Sequence, residues 1–84
     1  MEHFVIYRKS VGGRVYDQYF RTWDNARAAM EKDVTDCTRD GFARIDRRFD
    51  RFDASKGFYV YEAHGTTCEN EPVIWALLDG YFQD

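Results

Sequence analysis

Two adjacent glycines, Gly12 and Gly13, separate two runs rich in aromatic and β-branched residues, Phe4-Val5-Ile6-Tyr7 before them and Val15-Tyr16 with Tyr19-Phe20 after. A two-residue loop with positive φ at both centres is a favoured way to join antiparallel strands, and glycine adopts that conformation at no steric cost. A hairpin closed by Val11 and Arg14 follows, and its turn sets the register. Arg8 stands opposite Asp17, Tyr7 opposite Gln18, Ile6 opposite Tyr19, and Val5 opposite Phe20. Side chains alternate across a strand. Phe4, Ile6, Val15 and Tyr19 therefore share one face with the Arg8–Asp17 pair, and Val5, Tyr7, Tyr16 and Phe20 share the other. Both faces are apolar at one end, so this hairpin is not a simple half-solvated ribbon.

A helix follows the hairpin. Trp23, Ala26, Met30, Val34 and Cys37 recur every three or four residues and make one apolar stripe. Thr22 or Asp24 can cap its start, and Asp40-Gly41 is a stop with glycine at the left-handed position. Residues 42–52 carry two signals. Phe42, Ile45, Phe49 and Phe52 have helical spacing, as do Arg44, Arg47, Arg48 and Arg51. A single glycine is nevertheless a short link between two helices, where about 2–8 residues are usual. Asp53-Ala54-Ser55-Lys56-Gly57 also reads as a hairpin loop into Phe58-Tyr59-Val60-Tyr61. The balance favours a strand. Phe58–His64 reads as a further strand, 65–72 as a polar loop, and Val73–Leu78 as a short buried strand between Pro72 and Asp79-Gly80. The expected fold is a single α+β domain over 1–84, β-β-α-β-β-β, with a mostly antiparallel sheet and one amphipathic helix on one face.

At 84 residues the chain has room for one core and buries roughly 60–65% of its unfolded surface. Fifteen aromatic side chains are more than such a core needs. The surplus is covered either by the C-terminal segment with Trp75, Leu77 and Phe82, or by a partner or second copy. Cys37 and Cys68 are too few for a disulfide framework. With no signal-like or membrane-spanning run, the expected home is a reducing bacterial or phage-infected cytoplasm. Net charge is −3 but uneven: residues 1–56 hold every Lys and Arg and sum to +2, whereas 57–84 sum to −5 through Glu62, Glu69, Glu71, Asp79 and Asp84. Such asymmetry suits either a charged partner or a solvated acidic end.

Motifs for chemistry are sparse. His64 and Cys68 are the nearest approach to a base–nucleophile pair, but their sequence spacing is not diagnostic and an ordinary loop thiol is the simpler reading. His3, His64 and Cys68 lack metal-ligand spacing, and no carboxylate pair stands out, so neither metal nor cofactor is expected. Arg44, Arg47, Arg48 and Arg51, interleaved with Phe42, Phe49 and Phe52, suit nucleic-acid contact, as in a small RNA- or DNA-binding regulator. Asp46, Asp50 and Asp53 offset them, and overall acidity argues against a phosphate-driven binder. On a strand, Arg44 and Arg48 are expected to share a face with Asp46 and Asp50.

The leading expectation is a non-enzymatic protein-binding module. Tyr7, Tyr16, Tyr59 and Tyr61 would supply an aromatic surface, and Glu69, Glu71 and Asp79 an acidic one that docks on a basic groove. In size, acidity and lack of catalytic motif the chain resembles phage-encoded inhibitors of bacterial defence, such as anti-CRISPR proteins. That class has no common motif, so the resemblance implies a mode of action and assigns no residue.

Overall fold

A computed structural model describes residues 2–55 and 57–82; Asp84 and the side chain of Phe82 fall outside what it describes. The elements run β1 (Glu2–Val11), β2 (Arg14–Phe20), α1 (Trp23–Arg39), β3 (Ala43–Asp53), β4 (Phe58–Thr67) and β5 (Pro72–Phe82). They form the expected α+β domain, with a five-stranded antiparallel sheet in the order β2-β1-β5-β4-β3. Gly12 and Gly13 take φ 56° and 87°, and all four expected β1–β2 pairs form, from Val5–Phe20 to Arg8–Asp17. Thr22 caps α1 by accepting the Asn25 amide through its hydroxyl at 3.2 Å, and the chain leaves the helix through Gly41 at φ 77°. Residues 43–52 of the segment lie in β3 and Phe42 in the bend before it, so the glycine link joins a helix to a strand and the helical spacing of its aromatics is incidental.

Half of the stretch 65–72 is strand rather than loop. β4 continues to Thr67 and β5 begins at Pro72, leaving a turn at 68–71. Buried Thr67 organises that turn. Its hydroxyl accepts the amides of Glu69 and Glu71 at 3.3 and 3.1 Å, and its own amide donates to the Glu71 carbonyl at 2.8 Å. Polar residues keep strand geometry here because Gly65 and Thr66 are paired on both sides, with β3 and with β5.

The helix lies on the face of Val5, Tyr7 and Phe20. Ala26, Met30 and Val34 from α1 pack with Val5, Tyr7, Tyr61, Ala63, Val73, Trp75 and Leu77 from the sheet. Trp75 is fully buried, and Ala63 and Gly65 lie beside it as small neighbours on β4. Two features explain the choice of face. The three large residues of β5 that stand across from β1 on this side, Val73, Trp75 and Leu77, make its bulkiest apolar surface. The opposite face carries the Arg8–Asp17 ion pair, which would lose its water beneath a helix. The described part of the stretch that lacks Lys and Arg forms mainly β4 and β5, with β5 the central strand and β4 its neighbour, whereas the described cations lie on β1, β2, α1 and β3 and at Arg21.

Candidate docking face

The sheet face away from α1 carries no second layer among the described residues. Alternation and register place on it Phe4, Ile6, Arg8 and Ser10 from β1, Val15, Asp17 and Tyr19 from β2, and Ile74, Ala76 and Leu78 from β5. β4 adds Val60, Glu62, His64 and Thr66. Ile6, Ile74 and Leu78 are half-exposed at its centre, and Phe4 packs on Tyr19 with ring centroids 5.5 Å apart. The middle of this face is apolar, with Val60 and Ala76 buried between the half-exposed side chains.

Charged residues frame this surface. On one flank Arg8 grips Asp17 with two bonds of 2.8 and 2.9 Å, which raises the guanidinium pKa and lowers that of the carboxylate. On the other flank a bulge between Ile45 and Arg47 breaks the alternation of β3. The strand therefore does not divide its charges as simple alternation requires. Arg44 stays with Asp46 at 3.2 Å. Beyond the bulge, Arg48 and Asp50 turn to the helix side, where Arg48 pairs with Glu31 and Asp50 with Arg27 at 3.5 Å. Arg47 and Arg51 turn to the open face and lie over the two sides of one aromatic neighbour, 5.8 and 5.5 Å from the Phe49 centroid. Neither makes an ion pair among the described residues. Phe49 in turn meets the His64 ring edge-on at 5.1 Å, and His64 lies 3.3 Å from Glu62.

The expected aromatic surface is divided by the helix. Tyr7 and Tyr61 are 5% and 6% exposed, beneath α1, and available to no partner while the helix is docked. The Tyr7 hydroxyl donates to Asp33 and that of Tyr61 to Glu31, so both phenols are pushed up in pKa, chiefly by burial and then by the carboxylate. Tyr16 and Tyr59 are exposed but lie on the helix side of opposite outer regions of the sheet. The acidic set is divided as well. Glu69 and Glu71 belong to the 68–71 turn and Asp79 to the far end of β5, bound to His3 at 3.0 Å. The surface that sequence reasoning missed is the Phe4–Ile6–Val15–Tyr19 face; the Arg8–Asp17 pair on it was the readable sign that water reaches that side.

A second polar cluster lies at the helix–sheet seam. Asp33 accepts from Tyr7, sits 3.1 Å from Lys9 Nζ, and lies 3.5 Å from Cys37 Sγ. Burial alone would raise the Asp33 pKa, but Tyr7 and Lys9 outweigh it and hold the carboxyl below its ordinary value. Cys37 is pushed up by burial and by Asp33, the reverse of what an attacking thiolate needs. His64 and Cys68 do not meet. His64 lies on the open face, and Cys68 is four residues on, past the strand end, about 13 Å away along extended backbone. Among the described residues no group of three or more His, Cys, Asp or Glu side chains is placed to hold a metal ion, and no helix is long and apolar enough to cross a membrane. No protein-family model, curated protein or solved structure matches the chain.

Proposed function

We propose that the chain is a non-enzymatic protein-binding module that docks through the sheet face opposite α1. The observation that carries this reading is the bare face itself, with half-exposed Ile6, Ile74 and Leu78 at its centre and a charged rim of Arg8–Asp17 and Arg47–Phe49–Arg51. An apolar middle within a polar rim is the anatomy of a protein interface, and aromatic and arginine side chains are enriched there. Arg47 and Arg51, which make no ion pair among the described residues, favour a partner that brings acidic side chains to that rim. A module of this kind acts by occupying a surface, which is also how small phage inhibitors of the profile described above work.

The test compares capture of partners by the wild type and two charge insertions, Ile6→Glu on the open face and Ala28→Glu on the exposed outer side of α1. The expected result is a protein that co-purifies with the wild type and with Ala28→Glu, and is lost with a folded Ile6→Glu. Equal capture by all three would overturn the assignment. The arginine pair on Phe49 supports a second reading, a single-strand nucleic-acid platform. It requires that the captured species be nuclease-sensitive and that binding fall steeply with salt.

A further inference from the structure

The two outer strands of the sheet are not alike. β3 shows the usual devices that stop an edge from pairing with another chain: a bulge at 45–47 and a row of charges, Arg44, Asp46, Arg47, Arg48, Asp50 and Arg51. β2 has neither a bulge nor a row of charges. It is seven residues long, Arg14–Phe20, with no proline and no register break. Of its two charged residues, Asp17 is turned inward along the sheet to Arg8. Val15, Tyr16 and Tyr19 along it are 56%, 55% and 60% exposed. Because the hairpin loop has two residues, Val11 and Arg14 form its hydrogen-bonded closing pair, and bonding then alternates along the ladder. Tyr16, Gln18 and Phe20 thus bond to β1, while Val15, Asp17 and Tyr19 aim their N–H and C=O groups away from the sheet.

We propose that β2 is a homodimerisation edge, pairing antiparallel with β2 of a second copy about a two-fold axis through Asp17. The occupant must be a strand, because backbone groups are what the edge offers, and this strand complements itself. In that register Val15 faces Tyr19 of the second copy, twice over, a favourable β-branched–aromatic pair, and Tyr16 faces Gln18. The two Asp17 carboxylates meet at the axis, where each is already held by its own Arg8. The outward groups of Val15, Asp17 and Tyr19 then make roughly six backbone hydrogen bonds. The axis stands perpendicular to the sheet, so both helices lie on one side and the two open faces join into one surface twice as wide. This inference rests on the edge alone and holds whatever the open face binds.

Light scattering on size-exclusion fractions tests it over about 10 μM to 1 mM, the range in which an interface smaller than the standard size associates. The mass should rise from the 10.0 kDa monomer toward twice that value with concentration. Val15→Pro removes an N–H that β1 does not use, and proline is tolerated on an edge. The variant should keep the wild-type circular dichroism and stay monomeric. A second variant, Val15→Lys with Tyr19→Lys, should do the same through charge. A wild type that remains at monomer mass throughout, or a dimer that survives in either folded variant, overturns the proposal; the first result would leave the edge to a strand from a different protein.

Discussion

Replacing Gly65 with alanine is expected to cost about 2–4 kcal/mol, and the reason is spatial rather than conformational. A Cβ at this position would stand 2.1 Å from the Arg44 carbonyl oxygen, 3.1 Å from its carbon and 3.4 Å from Trp75 Cζ3. Ordinary carbon–oxygen contact is about 3.3 Å, so roughly 1 Å of separation is needed, and the obstacle is backbone that cannot swing aside. Gly65 pairs with Ile45 on one side, at the β3 bulge, and with Val73 on the other. Opening the β3–β4 ladder there strains or breaks two or three backbone bonds at about 0.5–1.5 kcal/mol each. The loss is a large part of the about 4–13 kcal/mol expected of a domain this size. Urea denaturation followed by tryptophan fluorescence and far-ultraviolet circular dichroism reads it as a fall in midpoint at unchanged slope, about 2–4 M if the slope is near 1 kcal/mol/M. Gly41→Ala is the control, since φ there is 77° with open space around the missing Cβ, and only the left-handed penalty of about 1 kcal/mol applies. A Gly65→Ala variant that loses less than Gly41→Ala would refute the steric reasoning.

Two further outcomes follow from the seam between helix and sheet. Asp33→Asn should destabilise the domain by about 1 kcal/mol at neutral pH, a charged hydrogen bond discounted for partial exposure. Because the folded-state pKa of Asp33 is lowered, its contribution is present above the unfolded carboxyl value and is lost as pH falls through the folded one. Denaturation curves of wild type and variant should therefore converge in acid and separate by pH 6; a constant gap across that range would show that the carboxylate charge is not what matters. Thiol alkylation should be biphasic. Exposed Cys68 should react first, and half-buried Cys37, its pKa raised, about tenfold slower until denaturant is added. Equal rates would contradict the packing of α1, through Asp33 and Cys37, on Lys9 of β1.

Local signals were legible where one short stretch carried all the information. Gly12-Gly13 implied the hairpin and its register, and the Trp23–Cys37 stripe implied the helix. The link at Gly41 and the loop before Phe58 were enough to favour strand over helix for 42–52. Other features depended on neighbours distant in sequence. The extent of β4 depended on pairing with β3 and β5, because Gly65-Thr66-Thr67 has the composition of a loop. The split of the arginines depended on a bulge opposite His64 and Gly65, which no spacing within 42–52 encodes.

The bare face shows where that boundary falls. From the residues alone, Phe4, Ile6, Val15 and Tyr19 were known to share one side of the hairpin, and Val5, Tyr7, Tyr16 and Phe20 the other. Which side met the helix was open, because a two-stranded ribbon carries no information about what will be laid on it. Placing β5 beside β1 decided the matter, since Val73, Trp75 and Leu77 made one side bulky and apolar. The sequence thus determined the strands, the helix and the membership of each face, through backbone conformation and alternation over a few residues. Only the tertiary structure decided which face was buried, because that depends on the summed burial of side chains brought together from strands almost seventy residues apart.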